Sequence, residues 1–96
     1  MVSAESINKI YSLKLEVTEA MFKHERSMRE IDRLQQEFEN IVSNMNNMDQ
    51  ENCRARLQKI LNRLEKKKLE ADEEEKFLDY ANQEIARLQS EIKVEF

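Results

Sequence analysis

Apolar residues recur every three to four positions along nearly the whole chain, the period of a helix that buries one stripe. From residue 7 to residue 45 they fall into heptads. Position a holds Ile7, Lys14, Met21, Met28, Gln35 and Val42, and position d holds Ile10, Val17, His24, Ile31, Phe38 and Met45. The g row, Leu13, Ala20, Ser27, Leu34 and Ile41, is also largely apolar. A stripe three rows wide exceeds a strict two-stranded seam and predicts burial against more than one neighbour.

The second arm has its own frame. Its a row, Leu57, Leu64, Ala71, Leu78, Ile85 and Ile92, is apolar throughout, while its d row mixes Cys53, Ile60, Ala81 and Leu88 with Lys67, Glu74 and Glu95. The seam is therefore thin across EKKKLEADEEEK and strong on either side of it.

Between the arms the two frames are out of phase. The first ends its a row at Val42, and the second extrapolates back to Gln50, eight residues on where a continuous heptad needs seven. One extra residue turns the apolar face by about 100°. The slip falls in SNMNNMDQEN, where short polar side chains compete with helical backbone and asparagine tolerates the left-handed conformation. Asp49 is placed to cap a new helix, with Met48 before it and Cys53 four residues after it at the spacing of a hydrophobic staple. Ser3, flanked by Val2 and Ile7, has the same arrangement at the front of the chain.

These signals predict an all-α fold: a long, coiled-coil-like antiparallel helical hairpin. Residues 1–96 form a single elongated module, with helices over about 4–43 and 50–94 and a turn over about 44–49 centred on Asn46, Asn47 and Asp49. Each arm would be about 60 to 70 Å long at 1.5 Å per residue; the rival is one continuous rod of about 140 Å. In the hairpin, residues whose numbers add to about 94 lie level. That register sets Phe38 beside Leu57, Ile31 beside Leu64, Val17 beside Phe77 and Leu78, and Ile10 beside Ile85. It also puts the acidic run Asp72 to Glu75 beside Lys23 and Arg26.

Several large apolar residues fall outside both seams: Tyr11, Leu15 and Phe22 on the first arm, Phe77 and Tyr80 flanking Leu78 on the second, and Leu69 almost opposite the seam. Surface hydrophobics are common one by one. A set concentrated at the open half of a hairpin is instead the expected signature of an interaction surface. Tyr11, Leu15, Met21, Phe22, Phe77, Leu78 and Tyr80 are therefore candidate partner-binding residues, receiving helices that complete a three- or four-helix bundle by self- or hetero-association. The polar seam residues Lys14, His24, Gln35, Lys67 and Glu74 are candidates for fixing register and partner choice.

Composition narrows the function. The 96 residues contain neither glycine nor proline, and 38% are charged, so few turns are available and a long-helix module is favoured. Sixteen basic against twenty acidic residues give a net charge of −4, the wrong sign for a phosphate-binding face, so no nucleic-acid partner is expected. A single cysteine forms no internal disulfide and fits a reducing compartment. No stretch approaches the roughly 20 apolar residues of a membrane span, and MVSAES carries no signal-peptide core. A soluble intracellular protein is expected, without membrane insertion. The helical pattern still runs at EIKVEF, consistent with a chain excised from a longer one.

Catalytic chemistry finds little support. His24 is the only histidine, and its helical neighbours Ala20, Met21, Ser27 and Met28 are not ligands, so it reads as a polar seam residue. Asp72 to Glu75 are consecutive and splay around a helix, and a chain without glycine has no phosphate-cradling loop. No catalytic residue, metal or cofactor is expected. The sequence thus predicts a non-enzymatic structural or adaptor subunit that binds protein helices within an intracellular complex. The alternative is a small chaperone-like or cytoskeleton-binding hairpin that holds a client transiently. Heptad periodicity is shared by many unrelated assemblies and assigns no family.

Overall fold

A computed structural model describes residues 4–47 and 49–95, the side chains of residues 93–95 excepted. The fold is an all-α antiparallel two-helix hairpin. Helix α1 spans Ala4–Ser43, a 3-10 turn spans Met45–Asn47, and helix α2 spans Gln50–Glu95. Each long helix is built from strong helix formers, and each has a glutamate, Glu5 or Glu51, in its first turn facing the positive end of the helix dipole.

The link is held by backbone bonds and by the side chains of Asn44 and Asp49 together. At the end of α1 the Asn44 backbone N–H is shared between the carbonyls of Asn40 and Ile41, and the Asn44 side-chain amide donates to Asn40 O at 2.8 Å. Asn47 N then bonds Asn44 O, closing the 3-10 turn over Asn46. Asp49 caps α2: its carboxylate Oδ1 accepts from Glu51 N at 3.0 Å, and its own carbonyl accepts from Cys53 N. No described residue has a positive φ, so the asparagines of the link do not enter the left-handed region; backbone bonds and the Asn44 side-chain amide hold this stretch instead. Val2, Ser3 and Met48, expected in the two hydrophobic staples, lie outside the described residues.

The hairpin divides into two compact units, one made of Glu25–Asp72 and containing the turn, the other of Met1–His24 with Glu73–Phe96. The turn unit packs Ile31, Leu34, Ile41, Cys53, Ile60, Leu64 and Ala71 into a core, with Phe38, Met45 and Leu57 against it. Leu34 and Cys53 are fully buried. The terminal unit packs Ile10, Leu13, Ala81, Ile85 and Leu88, supported by Val17, Phe77 and Ile92. In both, most members fall at positions whose numbers add to 94 or 95, as Leu34 and Ile60 or Ile10 and Ile85 do, the register expected from the turn.

One frame differs from the expectation. Every member of the α1 row Ile7, Lys14, Met21, Met28, Gln35 and Val42 is exposed, whereas the row Leu13, Ala20, Ser27, Leu34 and Ile41 is buried or half-buried. The α1 seam therefore pairs the latter row with Ile10, Val17, His24, Ile31, Phe38 and Met45. A two-helix seam buries only two rows of each helix, and α1 offers three. Burying the first row would strip water from Lys14 and Gln35, while the second carries no charge or amide. The phase break between the arms is correspondingly larger than one residue: twelve positions separate Met45 from Leu57, where two heptads need fourteen.

Candidate functional site: an exposed apolar face on helix α1

The terminal unit leaves several of its large side chains outside. Tyr11 is 67% exposed, Leu15 69% and Phe22 63%, with Met21 at 53% and Ile7 at 39%. At about 100° per residue, Tyr11, Leu15, Thr18 and Phe22 follow a 4-3-4 spacing and share the side of α1 turned away from Leu13, Val17 and Ala20. This is a second heptad stripe on a helix whose first is already in the seam. Thr18 is exposed on the same side, and its hydroxyl is already engaged, donating back to Lys14 O at 3.0 Å. Ile7 and Met21 border the stripe on one side, and Ala4 continues it toward the N-terminus.

The structure brings only part of the expected set together. Phe77 and Leu78 are half-buried, and Phe77 packs on the core of the terminal unit. Tyr80 is 60% exposed but lies one turn before Glu84, on the flank of α2 that Lys9 reaches across the seam at 3.6 Å. Lys9 stands about 160° around α1 from Tyr11, so Tyr80 does not extend the stripe. The exposed hydrophobics of the turn unit, Met28, Val42, Leu61 and Leu69, include no aromatic ring. What the sequence did not single out was Thr18, whose signal was the heptad gap between Leu15 and Phe22.

The polar seam residues are divided in the same way. Lys14 and Gln35 are solvent-exposed, and Lys67 reaches Glu70 of its own helix at 3.0 Å. His24 and Glu74 meet each other: His24 Nδ1 lies 3.1 Å from Glu74 Oε1, and Nε2 lies 3.6 Å from Glu75 Oε1. The acidic run thus meets α1 at the imidazole, where Lys23 and Arg26 were the expected neighbours. Glu74 is buried, and among the described residues no buried side-chain nitrogen or oxygen lacks a hydrogen-bond partner. This polar layer is internally satisfied.

The strongest surface electrostatics run along single helices. Arg33 sits between Glu30 and Glu37, and Arg87 between Glu84 and Glu91. The hydrogen bond from Arg33 holds the Glu30 carboxyl below its ordinary range, with the charges of Arg33, Lys67 and Arg63 adding to it. Arg87 does the same to Glu84, helped by Lys9, and both arginines are pushed up in return. Among the described residues no three His, Cys, Asp or Glu side chains converge as a metal-binding group, and no helix is long and apolar enough to cross a membrane. No protein-family model, curated protein or solved structure matches this chain.

Proposed function

We infer that this protein is a non-enzymatic structural or adaptor subunit that joins an intracellular assembly by lending the outer face of α1 to another helix. The observation that carries this reading is the Tyr11, Leu15, Thr18, Phe22 stripe. Contiguous exposed apolar surface costs solubility and ordinarily marks a contact surface. Aromatic anchors at heptad spacing fit a partner helix laid along α1. A hairpin with one seam also has a small core, and a further helix would add to it.

A second reading, a hairpin that holds a client transiently, draws on Met21 and Met28, both exposed on the same row of α1. Thioether side chains adapt to varied surfaces. Copurification of the chain from its host separates the two readings. A permanent subunit retains its companion at fixed stoichiometry through a salt wash, and a Leu15→Glu, Phe22→Glu double variant with unchanged helicity loses it. Salt-sensitive micromolar capture favours the transient reading. Unchanged assembly of the double variant would remove both.

A further inference from the structure

We propose that the outer stripe of α1 pairs with the same stripe of a second copy of this chain, antiparallel about a two-fold axis. The proposal rests on the reading of this face as a contact surface and names its occupant. The spacing 4-3-4 reads identically in both directions along a helix. When two such stripes meet antiparallel, every layer therefore coincides: Tyr11 falls on the partner's Phe22, and Leu15 on the partner's Thr18. Each layer then appears twice, as an isologous interface requires. The outer layers are aromatic pairs, and the inner ones set a branched aliphatic against a threonine. Burial of Thr18 leaves no hydroxyl unpaired, because its hydrogen bond is already made to Lys14 O.

The borders of the stripe select this direction. On one edge of an antiparallel pair Glu5 faces the partner's Arg26, and Ser12 faces the partner's Glu19. On the other edge Ile7 faces the partner's Met28, and the methylene stem of Lys14 lies along the partner's Met21. Beyond Phe22 the next stripe positions are Glu25 and Arg29. Antiparallel pairing sets them against Asn8 and Ala4 of the partner subunit. Parallel pairing gains a contact between Lys14 and the partner's Glu19, but it stacks Glu25 on Glu25 and Arg29 on Arg29. Like charges directly opposed disfavour that arrangement and confine the contact to the N-terminal half of α1.

Sedimentation of the purified full chain reads the proposal directly. A species of twice the 11.5 kDa chain mass is expected. Phe22→Glu and Tyr11→Glu should each convert it to a monomer with unchanged far-ultraviolet helicity, since both positions are largely exposed. Register is read by oxidation: Ser12→Cys mixed with Glu19→Cys should form a disulfide-linked pair, and neither variant alone should do so, with the unsubstituted chain controlling for buried Cys53. A dimer without the mixed cross-link overturns the antiparallel register. A chain that stays monomeric yet holds a host protein at fixed stoichiometry through Phe22 overturns self-pairing and leaves the adaptor reading standing. A monomer with no Phe22-dependent companion overturns both.

Discussion

The two units of the hairpin share a register, a helix pair and a similar length of seam, yet they dispose of their apolar residues in opposite ways. The turn unit places Ile31, Leu34, Ile41, Cys53, Ile60 and Leu64 inside, while its exposed hydrophobics are aliphatic or thioether side chains. The terminal unit builds a comparable core from Ile10, Leu13, Ala81, Ile85 and Leu88, and leaves Tyr11, Leu15, Phe22 and Tyr80 in solvent. The difference shows that the outer residues are surplus to the packing of the hairpin. A seam of two rows per helix is already filled in both units, so the extra stripe on α1 stands in solvent as a surface open to a partner.

The sharpest test of that contrast is a matched pair of leucine truncations, measured by urea unfolding in the Phe22→Glu background where self-pairing is absent. Leu34→Ala in the turn unit should cost about 2–5 kcal/mol, since it opens a cavity at a fully buried position. Leu15→Ala in the terminal unit should stay within about 0.5 kcal/mol, as for other surface substitutions. Similar costs at the two positions would mean that Leu15 is part of the hairpin core.

A smaller effect belongs to the His24–Glu74 pair of the terminal unit, a polar contact across the seam. His24→Ala removes a partner of buried Glu74 and should destabilise by about 1–3 kcal/mol. Replacing both residues by leucine should recover most of that loss, because an apolar pair needs no desolvation of charge. A double variant as unstable as the single one would show that the layer is held by shape and not by its hydrogen bond.

The smallest effect should be equal in the two units, which carry the same Glu-Arg-Glu arrangement at Glu30, Arg33, Glu37 and at Glu84, Arg87, Glu91. Glu30 and Glu84 ionise below the ordinary glutamate value, chiefly through the hydrogen bonds from Arg33 and Arg87. A lowered carboxylate pKa contributes stability above the unfolded-state value, and the contribution is lost as pH falls through the lowered one. Arg33→Ala and Arg87→Ala should each lower the melting temperature slightly at about pH 7 and not at about pH 2. A deficit that persists in acid would assign these arginines a packing role instead.

Much of the fold was legible because the features that shape it are local. The asparagine cluster and Asp49 mark the break between helices, and the a row of α2 is apolar without exception, so its seam has one solution. The seam of α1 was not legible from apolarity alone. Three adjacent rows qualified, and the choice turned on the cost of burying Lys14 and Gln35 against the ease of burying Ala20 and Ser27. His24 and Glu74 both stood out as polar seam residues, but the register sets His24 level with Glu70 and Ala71, and only the reach of the side chains, about one turn along the seam, brings it to Glu74. Tyr80 and Tyr11 looked like neighbours by height along the hairpin; height does not say on which side of the seam a residue stands.

Cys53 gives the hinge a built-in reporter. It is the only cysteine, it is fully buried, and its backbone N–H bonds the carbonyl of the capping Asp49. A thiol reagent in solution can reach its sulfur only when the first turns of α2 part from α1. The rate of alkylation therefore counts opening events at the hinge with no label added.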